Sequence, residues 1–110
     1  MATVSNLAID QGTTYTVTIT VTDDTGTARN LAGYTARSQM RRSYYTTANT
    51  AFTANIDNPS VGEIELSLTS TQTSSLKPGR YVYDVELVSN TTTVERIVEG
   101  IVTVYPEATK

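Results

Sequence analysis

Two pairs of carboxylates come nearest, in type and spacing, to residues that could do chemistry. Glu63 and Glu65 form one pair, and Asp84 and Glu86 form the other. A spacing of two residues on a β-strand places both members of a pair on one face. Two carboxylates that flank a cleft could hydrolyse a glycosidic bond. The same spacing is also typical of a charged outer face that keeps a sheet soluble, and we favour this second interpretation.

Other catalytic and ligand-binding patterns are missing from the sequence. It contains no histidine and no cysteine, which excludes Ser-His and Cys-His nucleophiles and the usual zinc ligands. The 6 glycines are scattered at turns and form no phosphate-binding loop. Asp23 and Asp24 lie in a turn that could bind calcium weakly, although most acidic turns do not. We therefore expect a protein that is not an enzyme and that uses no cofactor and no metal.

One local cluster combines basic and aromatic residues. Arginine and tyrosine are favoured at the centres of protein interfaces, so the cluster is a candidate contact surface. The alternative is a solvated strand face whose arginines pair with Glu63, Glu65 or Glu99. The polar loop over residues 43–51 is a second candidate contact. The residues of the cluster are Arg37, Arg41, Arg42, Tyr44 and Tyr45.

The overall charge argues against two classes of partner. The chain has 8 Lys+Arg against 11 Asp+Glu, which gives a net charge of -3. Nucleic-acid-binding proteins usually carry a basic patch, and anionic membrane surfaces attract basic segments. Residues 1–10 also lack the basic and apolar regions of a signal peptide. We expect neither nucleic acid nor a membrane as a partner.

Alternation of apolar and polar residues predicts the strands that must position these side chains. The clearest case runs over residues 14–22, where Tyr15, Val17, Ile19 and Val21 alternate with threonines. A period of two places all four on one face of a strand. Similar patterns predict further strands at about 7–9, 34–40, 52–56, 64–68, 81–87 and 94–105, the last with a bulge near Gly100.

Seven strands separated by turns predict an all-β fold. We expect a single domain over residues 1–110, an immunoglobulin-like antiparallel β-sandwich, with a closed barrel as the main alternative. Residues 69–76 interrupt the strand pattern and suit a helical turn or a crossing loop. A tight turn at residues 77–79 then leads into the next strand. In immunoglobulin folds a tyrosine just after the corresponding corner donates a hydrogen bond from its hydroxyl to the backbone. Tyr81 or Tyr83 could fill that role, or both could be ordinary core aromatics.

The last predicted strand carries apolar residues on both of its faces. Either both faces are covered within the domain or one face meets another subunit. We therefore expect this strand to contribute to assembly and add Ile97 and Ile101 to the candidate interface. Its apolar residues are Ile97, Val98, Ile101, Val102 and Val104.

The order of these segments resembles that of small virion structural proteins of tailed bacteriophages, especially cyanophages. It is also similar, more distantly, to the immunoglobulin-like N-terminal domain of the upper baseplate protein of lactococcal siphophages. The resemblance covers nearly the whole chain and consists of strand and turn patterns. It is carried by residues 7–12, 31–41, 62–69, 76–85 and 98–104.

This resemblance implies a non-enzymatic building block of a phage particle. It points to a tail or baseplate component located in the virion after assembly in the host cytoplasm. The partners would be other virion proteins, including copies of the chain itself in a homo-oligomer. A capsid decoration protein is one alternative. A module that binds carbohydrate or a host surface, with Tyr44 and Tyr45 stacking on sugars, is another.

Overall fold

The structure is a computed structural model that describes residues 3–23 and 25–108. Asp24, in the predicted acidic turn, lies outside these ranges. The strands are β1 (Thr3–Val4), β2 (Leu7–Asp10), β3 (Tyr15–Thr20), β4 (Thr35–Arg41), β5 (Thr50–Asn58), β6 (Glu63–Leu68), β7 (Gly79–Val88) and β8 (Val94–Tyr105). A 3-10 turn covers Pro59–Val61, and one short helix, α1, covers Ser70–Ser74.

The strands form one curled sheet in the order β1-β8-β7-β4-β5-β6-β3, with β2 also paired to β8. The curl arises at β5, because this strand changes partners along its length. Its first part, residues 50–52, pairs with β4, and its second part, residues 53–58, pairs with β6. The all-β prediction is confirmed. The immunoglobulin-like sandwich is not confirmed, since β5 joins both groups of strands into one sheet, a half-barrel.

The predicted alternation in β3 is confirmed. Tyr15, Val17 and Ile19 face the inside of the curl and are half-buried, while the threonines between them are exposed. The antiparallel neighbour β6 contributes Ile64, Leu66 and Leu68 to the same interior, and these three are almost fully buried. The period of two therefore gives each of these strands an apolar inner face and a polar outer face.

A bulge in β8 lies at Ile97, and the prediction of a bulge near Gly100 is wrong. Val85 of β7 faces Val98, whereas the next residue, Glu86, faces Arg96, which leaves Ile97 without an opposite residue. The extra residue lets Ile97 and Val98 both turn inward, and they are 8% and 4% exposed. This is how consecutive apolar residues of the last strand are covered within one domain.

Glycine is required at position 100 for a steric reason. A Cβ at this position would collide with the carbonyl oxygen of Ser5, because residues 3–6 run close beside β8. The same carbonyl accepts a hydrogen bond from the Tyr83 hydroxyl at 2.6 Å. Glycine thus permits the close approach of the N-terminal segment.

The interior of the curl is filled by side chains from both halves of the sheet. Phe52 and Tyr83 pack edge to face with their ring centroids 6.1 Å apart, a favoured aromatic geometry. Burial of each large side chain contributes about 1.5–3 kcal/mol relative to exposure. Besides this pair, the fully buried residues include Ile9, Leu31, Met40, Ile64, Leu66, Val85, Leu87 and Val102.

The predicted helical turn is confirmed as α1. Thr69 caps its first turn, accepting from the Gln72 amide while the Gln72 side chain accepts from the Thr69 amide. Thr73 is fully buried, and its hydroxyl donates to the Thr13 carbonyl at 2.7 Å. The helix is therefore fixed to the chain just before β3. Within residues 3–23 and 25–108, no helix is both long and apolar enough to cross a membrane.

Candidate functional site

A groove of about 680 Å³ lies over β4, β5 and β7 and reaches Arg96 of β8, and we call it the outer groove. Side chains at alternate positions of these strands reach the same face, so charges from three strands meet there. Tyr44, from the loop after β4, also lines the groove. Its charged lining residues are Arg37, Arg41, Asp84, Glu86 and Arg96.

Ion pairs connect these charges across the strands. Arg37 Nε lies 2.7 Å from Glu86 Oε1, and Arg96 Nε lies 3.3 Å from Asp84 Oδ2. Arg96 also approaches Glu99, at 3.8 Å. Arg37 thus pairs with Glu86, and not with Glu63, Glu65 or Glu99 as the solvated-face interpretation expected.

The Asp84 carboxyl has a shifted pKa in the outer groove. Partial burial raises its pKa above the ordinary value, and the nearby Arg96 guanidinium opposes this shift. Glu86 lies on the same face, as its spacing predicted, but Arg37 already neutralises it. The arrangement is a charged, partly desolvated surface with matched signs, which suits contact with a partner surface.

The second carboxylate pair lies on another part of the sheet. Glu63 and Glu65 belong to β6, where they face Thr20 and Thr18 of β3. They share a face as predicted but are not brought together with Asp84 and Glu86. Among the residues that the structure describes, no group of three or more acidic side chains could hold a metal ion.

Arg41 and Arg42 brace the loop that follows β4. Arg41 Nη1 donates to the carbonyl oxygens of Thr46 and Thr47, which lie across the loop. Arg42 Nη2 donates to the Pro78 carbonyl at 3.1 Å, and its guanidinium lies 4.6 Å from the centre of the Tyr81 ring. Both arginines were predicted as contact residues, and the structure shows them committed to intramolecular contacts.

The braced loop displays two tyrosines. Tyr44 is 55% exposed and Tyr45 is 96% exposed. A side-chain hydrogen bond between Ser43 and Thr46, at 2.9 Å, spans the two tyrosines and holds the turn closed. The structure thus places Tyr44 and Tyr45 together on an ordered loop beside the outer groove.

The two isoleucines predicted for the interface lie in different environments. Ile97 is buried in the core at the β8 bulge, so its side chain is not available to a partner. Ile101 lies three residues beyond Val98, on the outer face of β8 opposite Val82, and is 41% exposed. Of this pair, only Ile101 remains a candidate contact residue.

Arg96 was missed at the sequence level, although it is paired to both Asp84 and Glu99. Strict alternation would place Arg96 and Glu99, three residues apart, on opposite faces of β8. The bulge at Ile97 brings them to the same outer face. Asp84 and Glu86 were identified by their spacing. The arginines that pair with them, Arg96 and Arg37, could not be assigned as partners, because the register between strands is not visible in the sequence.

Comparison with known proteins adds little to this geometry. No family model matches the chain, and no curated protein matches it. One similar solved structure is the Listeria monocytogenes internalin-like protein lmo2027, with 19% sequence identity and a TM-score of 0.47. The match covers 91% of this chain but 27% of the Listeria chain.

Proposed function

We propose that this chain is a non-enzymatic structural component of a tailed-phage particle that acts through protein–protein contacts, in the tail or baseplate. The observation that carries the proposal is the loop that displays Tyr44 and Tyr45 beside the outer groove. Tyrosine and arginine dominate the energetic centres of interfaces. Here two exposed tyrosines adjoin a face that bears guanidinium and carboxylate groups.

The bracing of the loop supports a role in docking. Binding usually costs about 0.5–1.5 kcal/mol for each flexible side chain that becomes ordered. Arg41 and Arg42 already tie the loop to itself and to the turn before β7. A surface that is ordered before contact loses less entropy when a partner binds.

Two features support an immunoglobulin-like arrangement within the curled sheet. β3, β6 and the second part of β5 lie side by side, and β8, β7 and β4 form the other group. The Tyr81 hydroxyl donates to the carbonyl oxygen of Lys77, four residues earlier, at 2.7 Å. A tyrosine hydroxyl that returns to the backbone at this corner is typical of immunoglobulin-like domains.

The location in a virion rests on the resemblance of the strand and turn order to phage structural proteins. A capsid decoration protein is the near alternative, and it would use the same kind of surface at a different place in the particle. Both roles need a partner that covers Tyr44 and Tyr45. Both would be carried out without a catalytic step.

Genetic complementation tests the docking surface. We expect phage lacking the gene to be complemented by wild-type chain and by Tyr105→Ala, which removes an aromatic that is 51% exposed on β8. The double variant Tyr44→Ala, Tyr45→Ala should fold normally, since both side chains are exposed, and should be lost from purified particles. Normal incorporation of the double variant would contradict the proposed surface.

A carbohydrate-binding module is a second candidate. It is favoured by the position of Tyr44, whose ring lines a groove that also offers Arg37 and Glu86 as polar partners. Aromatic rings stack on the faces of sugar rings, while charged side chains form hydrogen bonds with the sugar hydroxyl groups. A glycan array would show binding that Tyr44→Ala abolishes. No signal from the wild-type chain on the array would exclude this function for the glycans tested.

A further inference from the structure

One edge of the curled sheet is left without a strand neighbour. In residues 3–23 and 25–108, β3 pairs with β6 on one side and with no strand on the other. The free edge faces a groove of about 670 Å³, which we call the seam groove. Its far wall is formed by residues 3–5 and by the start of β8. The ion pair between Arg29 and Glu95, at 2.7 Å, lines the same groove.

The backbone groups on this edge point outward in a regular array. Val21 donates its amide hydrogen to the Gly62 carbonyl at 2.8 Å, and the β3–β6 register places residues of odd number in bonded pairs with β6. In an antiparallel ladder the alternate residues direct both N–H and C=O to the other side. Thr16, Thr18 and Thr20 therefore present their amide and carbonyl groups to the seam groove.

The edge lacks the devices that keep sheet edges from pairing. Natural edge strands are usually protected by a charge, a proline or a bulge. Residues 11–22 contain no charged residue and no proline, and the β3–β6 register is unbroken from Tyr15 to Thr20. By contrast, the opposite wall of the seam groove carries Glu95 and Arg96.

The apolar face of β3 is also incompletely covered. Val17 and Ile19 are half-buried, whereas their partners on β6, Leu66 and Ile64, are fully buried. The difference arises at the seam groove, which both β3 residues line. A strand placed along this edge would cover the two side chains and satisfy the outward backbone groups.

We propose that the occupant is the β3 strand of a second copy of this chain, paired antiparallel about a two-fold axis at Thr18. Thr18 then faces Thr18 of the partner subunit, and Thr16 and Thr20 face each other across the interface. These are the residues with free backbone groups, so each pair exchanges two hydrogen bonds. The register keeps threonines on one face and apolar residues on the other.

Charge favours a second copy over other strands. A two-fold axis brings two copies of the same strand together, so an edge with charges of one sign would repel its copy, and β3 is neutral throughout. Cross-strand threonine pairs are also favourable neighbours in sheets. This inference does not depend on the phage role, because it concerns contact between identical chains.

Sedimentation velocity over a range of concentrations tests the dimer. We expect the wild-type chain to dimerise and Thr18→Lys to be monomeric, because the variant sets two ammonium groups against each other at the axis. Thr53→Lys is the matched control, since Thr53 is exposed on β5 and already faces Ser67 of β6 away from the β3 edge. A wild-type chain that stays monomeric up to about 1 mM, or equal loss of dimer in both variants, would overturn the proposal.

A cross-link tests the register. The chain has no cysteine, so Thr18→Cys introduces a single thiol. Residues facing each other in a bonded antiparallel pair have Cα atoms about 5.5 Å apart, within the range for a disulfide. Oxidation should convert Thr18→Cys to a covalent dimer far faster than Thr53→Cys. Equal rates would overturn the register, and larger oligomers of the wild-type chain would indicate head-to-tail pairing instead of the two-fold dimer.

Discussion

The hydroxyl of Tyr81 donates a hydrogen bond to the carbonyl oxygen of Lys77 at 2.7 Å, closing the corner between α1 and β7. The Tyr81 ring is buried, and the Arg42 guanidinium lies over it. One side chain thus joins the corner, the core and the loop that carries Tyr44 and Tyr45. The stability of the loop that carries Tyr44 and Tyr45 is in this way connected to the fold.

Removal of this hydroxyl should weaken the fold. We expect Tyr81→Phe to lower the free energy of unfolding by about 1 kcal/mol, because the Lys77 carbonyl loses its partner while the ring stays in place. Urea denaturation followed by circular dichroism measures the change. Tyr44→Phe, at an exposed position, serves as the control and should be neutral. An unchanged midpoint for Tyr81→Phe would show that the corner bond is not stabilising.

The two arginines Arg42 and Arg37 should differ in their effect on stability. Arg42→Ala removes hydrogen bonds to the Pro78 and Arg80 carbonyls and the contact with the Tyr81 ring. We expect Arg42→Ala to lower the free energy of unfolding by about 1 kcal/mol. Arg37→Ala breaks an exposed ion pair with Glu86 and should cost at most about 0.5 kcal/mol. Equal urea midpoints for the two variants would contradict the bracing role of Arg42.

Two glycines with similar backbone angles should respond differently to alanine. Gly62 has φ of 70°, and a Cβ there would lie 2.5 Å from the Val21 carbonyl oxygen. Gly26 has φ of 82°, and no other part of the described chain lies within 4 Å of its Cβ position. Gly26→Ala should cost about 1 kcal/mol of backbone strain, and Gly62→Ala should cost clearly more. Thermal unfolding of the two variants measures the difference, and similar melting temperatures would be the contrary result.

The ion pair between Arg29 and Glu95 should make stability depend on pH in the acid range. The hydrogen bond from Arg29 lowers the pKa of Glu95 below 4.5, the ordinary value for a glutamate side chain. A carboxyl group with a lowered pKa binds fewer protons in the folded state, so its contribution is present above about pH 4.5 and is lost as the pH falls through the folded pKa. Glu95→Gln should therefore be less stable than wild type at pH 7.

The size of this effect should be modest, since the Glu95 side chain is 45% exposed. Solvent screening limits the expected cost of Glu95→Gln to about 1 kcal/mol or less. The difference from wild type should shrink below about pH 4 and in about 1 M salt. Urea denaturation at several pH values tests this, and a difference that stays constant from pH 7 to pH 3 would exclude the ion pair as its cause.

Local patterns predicted the strands well, because alternation reports which side of a strand faces the core. Tyr15, Val17 and Ile19 share an inner face as predicted, and α1 lies where the alternation stops. The curl of the sheet was not predictable in this way. β5 changes partner from β4 to β6 while its own alternation continues, so the pattern is the same in a sandwich and in a half-barrel.

The candidate site was predicted in part. Tyr44 and Tyr45 are exposed as a contact surface requires, and Ile101 lies on the outer face. The bracing role of Arg42 depends on Tyr81 and Pro78, which are distant in sequence. The burial of Ile97 depends on a bulge whose position is set by the opposite strand. Both depend on tertiary contacts, which a periodic pattern does not encode.

The proposal that this chain is part of a phage particle is best tested by the protein composition of such a particle. On the proposed role, purified particles of a phage that carries the gene should yield peptides of the chain by mass spectrometry. Gold-labelled antibody should then mark the tail or its tip. Label over the head would replace the tail role with capsid decoration. Absence of both peptide and label from particles that infect normally would contradict the structural role.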